Sequence, residues 1–242
     1  MDLTAATKEN AAPMSHLRIL SLAILAALGL AACGGSPGTP TPRSDLYVVA
    51  ADSLCVTEGT VSASGDTLQV SDAKMRAIAA FQGDPVGELR FTYQAPTAQV
   101  ALQSGLVVSQ AVLKLEAQDD CNLVYVRWLI SPKNAISVEV KSNPGMQASA
   151  ECGDSGYQEV KASTSSSDVA AVTPGTSHVL HAERIGDEIY VWADGELAWV
   201  GTLPEYARSL RGPTGVRSDN VALSFELLAP AASSAEAAAN CP

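Results

Sequence analysis

The chain is short of aromatic residues, of histidine and of basic charge. Phe, Trp and Tyr make up 5% of its 242 residues, and it has three histidines. Lys+Arg number 15 against 26 Asp+Glu, for a net charge of −11. That balance argues against nucleic acid as a partner and against adsorption to a broad anionic lipid surface. His178 and His181 stand at an odd spacing in a strand-like stretch. They therefore face opposite ways and cannot chelate one ion together. No Cys-x-x-Cys pair is present, so neither a zinc knuckle nor a thioredoxin-type redox site is supported. The main apolar run, residues 19–30, is about 12 residues long, whereas a bilayer-spanning helix needs roughly 20.

What is present begins with an address. Arg18 precedes the apolar run, Ala31 and Ala32 close it, and Cys33 follows, ahead of Gly34-Gly35-Ser36-Pro37-Gly38. Leu30-Ala31-Ala32-Cys33 resembles a bacterial lipobox, where cleavage before the cysteine leaves a thiol that carries lipid. The resemblance implies a signal peptide over residues 1–32, lipidation of Cys33 and a membrane contact through that anchor. It places the protein in the bacterial cell envelope, and Gly34 rather than aspartate after the cysteine points to the outer membrane. Met14 offers a more usual start, MSHLRIL. Residues 34–44 are a Pro/Gly/Ser/Thr linker with a reach of roughly 30 Å when extended. The expected organisation is a lipidated cysteine and linker over 33–45, a folded domain over 46–229 and an Ala-rich tail over 230–242. Lipidation of Cys33 leaves Cys55, Cys121, Cys152 and Cys241. An even set in an oxidising compartment predicts two disulfides, with three pairings open.

Between linker and tail the pattern is β. Leu89, Phe91 and Tyr93 alternate with Glu88, Arg90 and Thr92; Leu113, Leu115 and Ala117 alternate with Lys114 and Glu116. Ile136, Val138 and Val140 alternate with Ser137, Glu139 and Lys141, and residues 221–227 repeat the period. A period of two marks half-buried strands. Residues 122–130 are apolar on both faces except Arg127, which predicts a central strand. Residues 71–81 are expected as loop plus strand rather than helix. Asp194-Gly195 carries the residue types of a two-residue type I′ hairpin. That turn predicts Trp192 opposite Leu197 and Tyr190 opposite Trp199, with Tyr190, Trp192 and Trp199 on one face. About a dozen short strands divided by turns predict an all-β, two-sheet antiparallel sandwich of jelly-roll type.

Catalytic motifs fail on inspection. Cys152-Gly153-Asp154-Ser155-Gly156 resembles the nucleophile segment of trypsin-like proteases, but Tyr157-Gln158 follow instead of Gly-Pro. The only histidine before that serine is His16, inside the leader. A Ser155, Asp168, His178 or His181 order lacks the Gly-x-Ser-x-Gly elbow that would expose the serine. Asp119, Asp120 and Asn122, and Asp219-Asn220, form oxygen-rich loops suited either to turns or to calcium.

Residues 178–228 resemble the C-terminal half of a concanavalin A-like lectin/glucanase domain. The matching pieces are His181-Ala182-Glu183-Arg184-Ile185-Gly186-Asp187, Ile189-Tyr190-Val191-Trp192-Ala193-Asp194-Gly195 and Gly212-Pro213-Thr214-Gly215-Val216-Arg217 before a last strand. Laminin-G-like modules and the 3-keto-disaccharide hydrolase family share this pattern. The resemblance implies first and last strands side by side in one sheet, and hence Cys55 paired with Cys241 and Cys121 with Cys152. Its glucanase branch carries acid and nucleophile in Glu-x-Asp-x-x-Glu, yet no glutamate here has an aspartate two residues later. The expectation is thus a non-catalytic, lipid-anchored, lectin-like protein that binds a glycan or another envelope ligand. Its candidate contacts are Trp192, Trp199, Tyr157 and Arg127, with no cofactor other than calcium near Asp119 and Asp120. The alternatives are a glycoside hydrolase or lyase using Glu139, Glu159 or Glu183, and a structural protein of the envelope.

Overall fold

The computed structural model describes residues 38–65 and 67–232. The chain divides after Thr39, and Pro40–Pro242 is one unit. Residues 1–32, Cys33 and Cys241 lie outside the described residues, and with them lie the expected signal peptide, the lipid anchor and one half of the Cys55–Cys241 pair.

The strands run in chain order from β1 (Tyr47–Val48), β2 (Leu54–Glu58), β3 (Ser62–Ser64) and β4 (Thr67–Val70) to β5 (Lys74–Ala79) and β6 (Val86–Pro96). Then come β7 (Ser109–Leu115), β8 (Leu123–Ser131), β9 (Ala135–Lys141), a one-turn α1 (Ser149–Cys152), β10 (Tyr157–Glu159) and β11 (Ala162–Ser165). The last five are β12 (Ser177–Ile185), β13 (Glu188–Ala193), β14 (Glu196–Thr202), β15 (Gly215–Asp219) and β16 (Val221–Ala229). Two antiparallel sheets result. A seven-stranded sheet is ordered β10-β9-β8-β7-β15-β5-β2. A nine-stranded sheet is ordered β11-β14-β13-β12-β6-β16-β4-β3, with β1 added on β16. Tyr47 pairs with Ala229, so the first and last strands do lie side by side.

The period of two builds the core. Leu89 and Phe91 of β6, Leu180 of β12 and Leu223 and Phe225 of β16 face Leu113 of β7, Val126 and Trp128 of β8 and Val138 of β9. Phe91 meets Trp128 edge to face at 5.7 Å, an arrangement worth about 1 kcal/mol beyond area burial. Residues 71–81 contain the strand β5, with Met75, Ala77 and Ala79 buried. The strand β8 lies inside its sheet, between β9 and β7. Strand β7 departs from simple alternation, because all seven of its residues are buried. Ala111, Leu113 and Leu115 join the main core. Val112 instead joins a second cluster with Leu123 and Tyr125 on the outward face. Something therefore covers that face.

The hairpin β13–β14 turns through Asp194 and Gly195, with φ of 52° and 86°, as a type I′ turn requires. Asp194 caps the turn, accepting hydrogen bonds from the Val179 N–H and from His178 Nδ1. Trp192 pairs with Leu197 as expected, but Val191, not Tyr190, pairs with Trp199. A β-bulge at Ala198 supplies the extra residue, and one inserted residue flips the side chains beyond it. Trp199 accordingly joins the core with Ile189 and Val191, while Tyr190 stacks on Trp192 at 6.0 Å on the other face.

Cys121 and Cys152 form a disulfide across 31 residues of chain. Cys55 is buried in β2 and takes no part in that bond.

Candidate functional site

The covered face of the seven-stranded sheet carries two adjoining cavities, of about 220 and 270 Å³. They share Leu102, Tyr125, Asp154, Tyr157 and Arg217. Register explains the floor. Arg217 of β15 lies between Arg76 of β5 and Val112 of β7, and Val112 in turn pairs with Arg127 of β8. The next row brings Lys114, Tyr125 and Glu139 together, and Lys141 pairs with Tyr157. These are the positions of each strand whose neighbours point into the core.

Two segments form the walls. Residues 97–108 supply Leu102, Ser104 and Leu106. Asn220, wholly buried, anchors that segment: its Oδ1 accepts from Val100 N–H at 2.8 Å, and its Nδ2 donates to Val100 O and Val108 O. Asn220 sits at φ 58°, a left-handed conformation that asparagine tolerates better than most residues. The opposite wall, residues 142–156, is tied to the sheet by the Cys121–Cys152 bond. Gly156 ends it at φ 79°, where a side chain would strike Asn143 and the Ser142 carbonyl. That close approach delivers Tyr157 onto β9.

The polar groups on the floor are tightly coupled. Tyr125 and Tyr157 stack at 5.7 Å with ring planes 18° apart. The Arg217 guanidinium lies over Tyr125, 5.2 Å from the ring centroid, and Lys141 Nζ lies 5.1 Å from that of Tyr157. Asp219, wholly buried, accepts from Arg217 at 2.7 Å, Arg76 at 2.8 Å and Gln110 at 2.7 Å. Burial opposes its charge, but Arg217 and Arg76 outweigh that and hold the carboxyl below its usual range. Burial likewise opposes the Arg217 charge, and Asp219 reverses the balance. Arg127 pairs with Glu139 at 2.8 Å; burial raises Glu139 despite that partner and lowers Arg127. Burial and then Arg76 bring the Lys114 amine down to about 7.

The structure separates the four expected ligand contacts. Tyr157 and Arg127 line these cavities. Trp192 and Trp199 belong to the other sheet and are each 3% exposed. Trp199 is a core residue, and Trp192 packs edge-on against His181 at 5.3 Å. Neither offers the open ring face that stacking on a sugar needs. Asp119 accepts from Cys121 N–H and from the Asn122 amide, and Asn122 Oδ1 accepts from Asn143 N–H. These two build the turn, while Asp120 lines the second cavity. Among the described residues no group of three or more His, Cys, Asp or Glu is placed to hold a metal ion. Glu139 and Glu159 are cross-strand partners on β9 and β10, whereas Glu183 lies on the other sheet opposite Tyr190. Lys114, Arg76, Tyr125, Gln110 and Lys141 were not singled out from the sequence. Their strands alternate as half-buried strands do, and nothing local marks the outward face as covered.

No family profile and no curated protein matches the chain. Solved structures do resemble it. A carbohydrate-binding module, CBM66, from Bacillus subtilis superposes with a TM-score of 0.52 at 12% identity, covering 72% of this chain and 91% of the module. The apo Crh5 transglycosylase is 14% identical with a TM-score of 0.46, covering 82% and 90%. The galectin LEC-6 from Caenorhabditis elegans is 8% identical with a TM-score of 0.39, covering 69% and 99%. The fold is therefore an all-β jelly-roll sandwich of the concanavalin A-like lectin type.

Proposed function

We propose that this is a lipid-anchored cell-envelope protein that binds a glycan on the covered face of its seven-stranded sheet. The observation that carries the reading is the half-buried Tyr157 ring, backed by the buried Tyr125, at the junction of two cavities ringed by charged hydrogen-bonding groups. Sugars combine apolar ring faces with hydroxyls, and sites for them pair aromatic surface with a few placed polar groups. The resemblance to the carbohydrate-binding module CBM66 supports the same ligand class. The anchor on Cys33 and the envelope location rest on the lipobox. A glycan array, followed by calorimetry with and without calcium, tests the binding. Saturable binding that Tyr157→Ala and Arg127→Gln weaken supports the reading; no binding across a broad array overturns it. Loss of membrane fractionation in Cys33→Ser tests the anchor.

One observation favours a second reading, glycoside hydrolysis. Glu139 and Glu159 stand opposite each other, where side chains lie about 5 Å apart at Cβ, and burial raises Glu139. The 2.8 Å bond to Arg127 weighs against it, since a carboxylate held by a guanidinium resists protonation. Release of reducing ends, abolished by Glu139→Gln, would establish catalysis.

A further inference from the structure

Charge is unevenly spread over this acidic protein. Of its 15 Lys and Arg, six line the two cavities: Lys74, Arg76, Lys114, Arg127, Lys141 and Arg217. Only four carboxylates line them, namely Glu58, Asp120, Glu139 and Asp154. Asp219 beneath Arg76 and Arg217 is a fifth carboxylate, so the site carries an excess of one positive charge while Lys114 holds its proton, in a chain carrying −11.

Most of those cations already have partners. Arg127 holds Glu139, Arg76 and Arg217 share Asp219, and Lys141 donates to the Asp120 carbonyl. Lys114 is different. It is 2% exposed and lines the second cavity, yet its ammonium has no hydrogen-bond or ion-pair partner among the described residues. Its Nζ is not sealed within protein but opens onto that cavity, so an anion entering there meets an ammonium with no competing protein partner. Lys74, half-buried on the same cavity, likewise has no hydrogen-bond or ion-pair partner among the described residues. Two free cationic donors are thus left at a site bordered by Tyr157.

We infer that these cavities take an acidic saccharide, its carboxylate or sulfate seated on the Lys114 ammonium and its ring against Tyr157. This rests on the glycan-binding reading above and names the ligand class. The groups around Lys114 are Arg76 of β5, Arg217 and Asp219 of β15, Asp120 from the turn after β7 and Tyr125 of β8. Farther round the cavity stand Glu58 and Lys74 on one side, Lys141, Tyr157 and Asp154 on the other, with Glu139 in the row beyond Tyr125. Arg76 and Arg217 work against the Lys114 proton, and Asp120 and Asp219 work for it. An anion arriving beside the amine adds to the second group and makes the lysine hold its proton more tightly. Affinity for an anion should therefore fall as pH rises past about 7.

Calorimetry on the full chain with a galacturonate trimer, its methyl ester, a sulfated trisaccharide and a neutral galactose trimer tests this. At about pH 6 the galacturonate or the sulfated probe should bind at least about tenfold tighter than ester and neutral trimer, which corresponds to one pKa unit of proton linkage. Which charged probe wins tells carboxylate from sulfate. The winning affinity should fall by about tenfold at about pH 8.5. Lys114→Arg, whose charge does not titrate in this range, should bind at both pH values alike. Equal binding of acid and methyl ester, or an affinity flat with pH in the wild-type chain, overturns the inference and leaves glycan binding standing. Failure of every saccharide to bind overturns the glycan reading and this one with it.

Discussion

Replacing Lys114 by methionine is expected to change how stability varies with pH. The wild-type side chain is 2% exposed, and burial and then Arg76 lower its pKa from 10.5 to about 7. In the unfolded chain the amine keeps its proton up to its ordinary value near 10.5. Between the two values the unfolded chain binds one more proton than the folded chain. Folded stability owed to this residue therefore rises with pH through that window, and falls as pH drops to about 7. Below about 7 both states carry the proton and the burial penalty is fully in force. Each pH step of one is worth at most about 1.4 kcal/mol. The wild-type chain should then gain on Lys114→Met by about 3 kcal/mol from pH 7 to pH 9, an upper bound for a fully buried amine. Methionine has similar length and no charge, so the cavity floor keeps its shape, and groups common to both proteins cancel in the comparison. Urea titrations at about pH 6, 7.5 and 9 supply the numbers, with unchanged slopes as the check on two-state behaviour. The variant should be the more stable protein at pH 6, with its advantage shrinking toward pH 9. A difference that stays flat within about 0.5 kcal/mol across the series would refute the assignment of Lys114 as a buried, unpartnered amine.

Three other perturbations separate the site from the scaffold. Cys121→Ser with Cys152→Ser should cost about 3–4 kcal/mol, from the loop of 31 residues that the bond closes, and should weaken saccharide binding by loosening residues 142–156; chemical denaturation and calorimetry read both. Trp199→Ala should cost about 3–5 kcal/mol as a core truncation while leaving binding within about twofold in the folded fraction, whereas Tyr157→Ala should do the reverse, losing binding with a stability change of about 1 kcal/mol. Asn220→Gly and Asn220→Ala should both lose the hold on residues 97–108 and hence binding, but the alanine form should be less stable than the glycine form by about 1 kcal/mol because of the left-handed backbone; thermal melts of the pair would decide.

The fold was legible where strands are half-buried. Leu89, Phe91 and Tyr93, or Ile136, Val138 and Val140, declare their inner face without any tertiary knowledge, and Asp194-Gly195 declares its turn. The register of β14 was not legible. Nothing in Glu196-Leu197-Ala198-Trp199 announces that Ala198 will be an inserted residue. Extra length beside a tight turn is settled by whether Trp199 can be packed between the sheets. Here the choice put about one tryptophan's worth of apolar area, on the order of 200 Å², into the core. The same unannounced residue removed Trp199 from the set of surface aromatics, so an error in register became an error about the site.

The site was illegible for a related reason. Lys114, Glu139 and Lys141 occupy the polar positions of alternating strands, and such positions are usually solvated. What changes their meaning is cover from segments far away in sequence. Asn220 reaches across to Val100 and Val108, and the Cys121–Cys152 bond fastens the facing wall. Under that cover a lysine becomes a buried amine and two tyrosines become a floor. Arg217 illustrates the limit of motif reading: Gly215-Val216-Arg217 was informative as a fold signature, while its place beside Asp219 and over Tyr125 follows only from the packing of β15 between β5 and β7. The lack of basic residues in the whole chain is what gives this arrangement its force. With so few cations available, six gathered around one aromatic pair against five carboxylates, Asp219 included, leave a local excess of positive charge in an acidic chain, and such an excess selects ligands by charge.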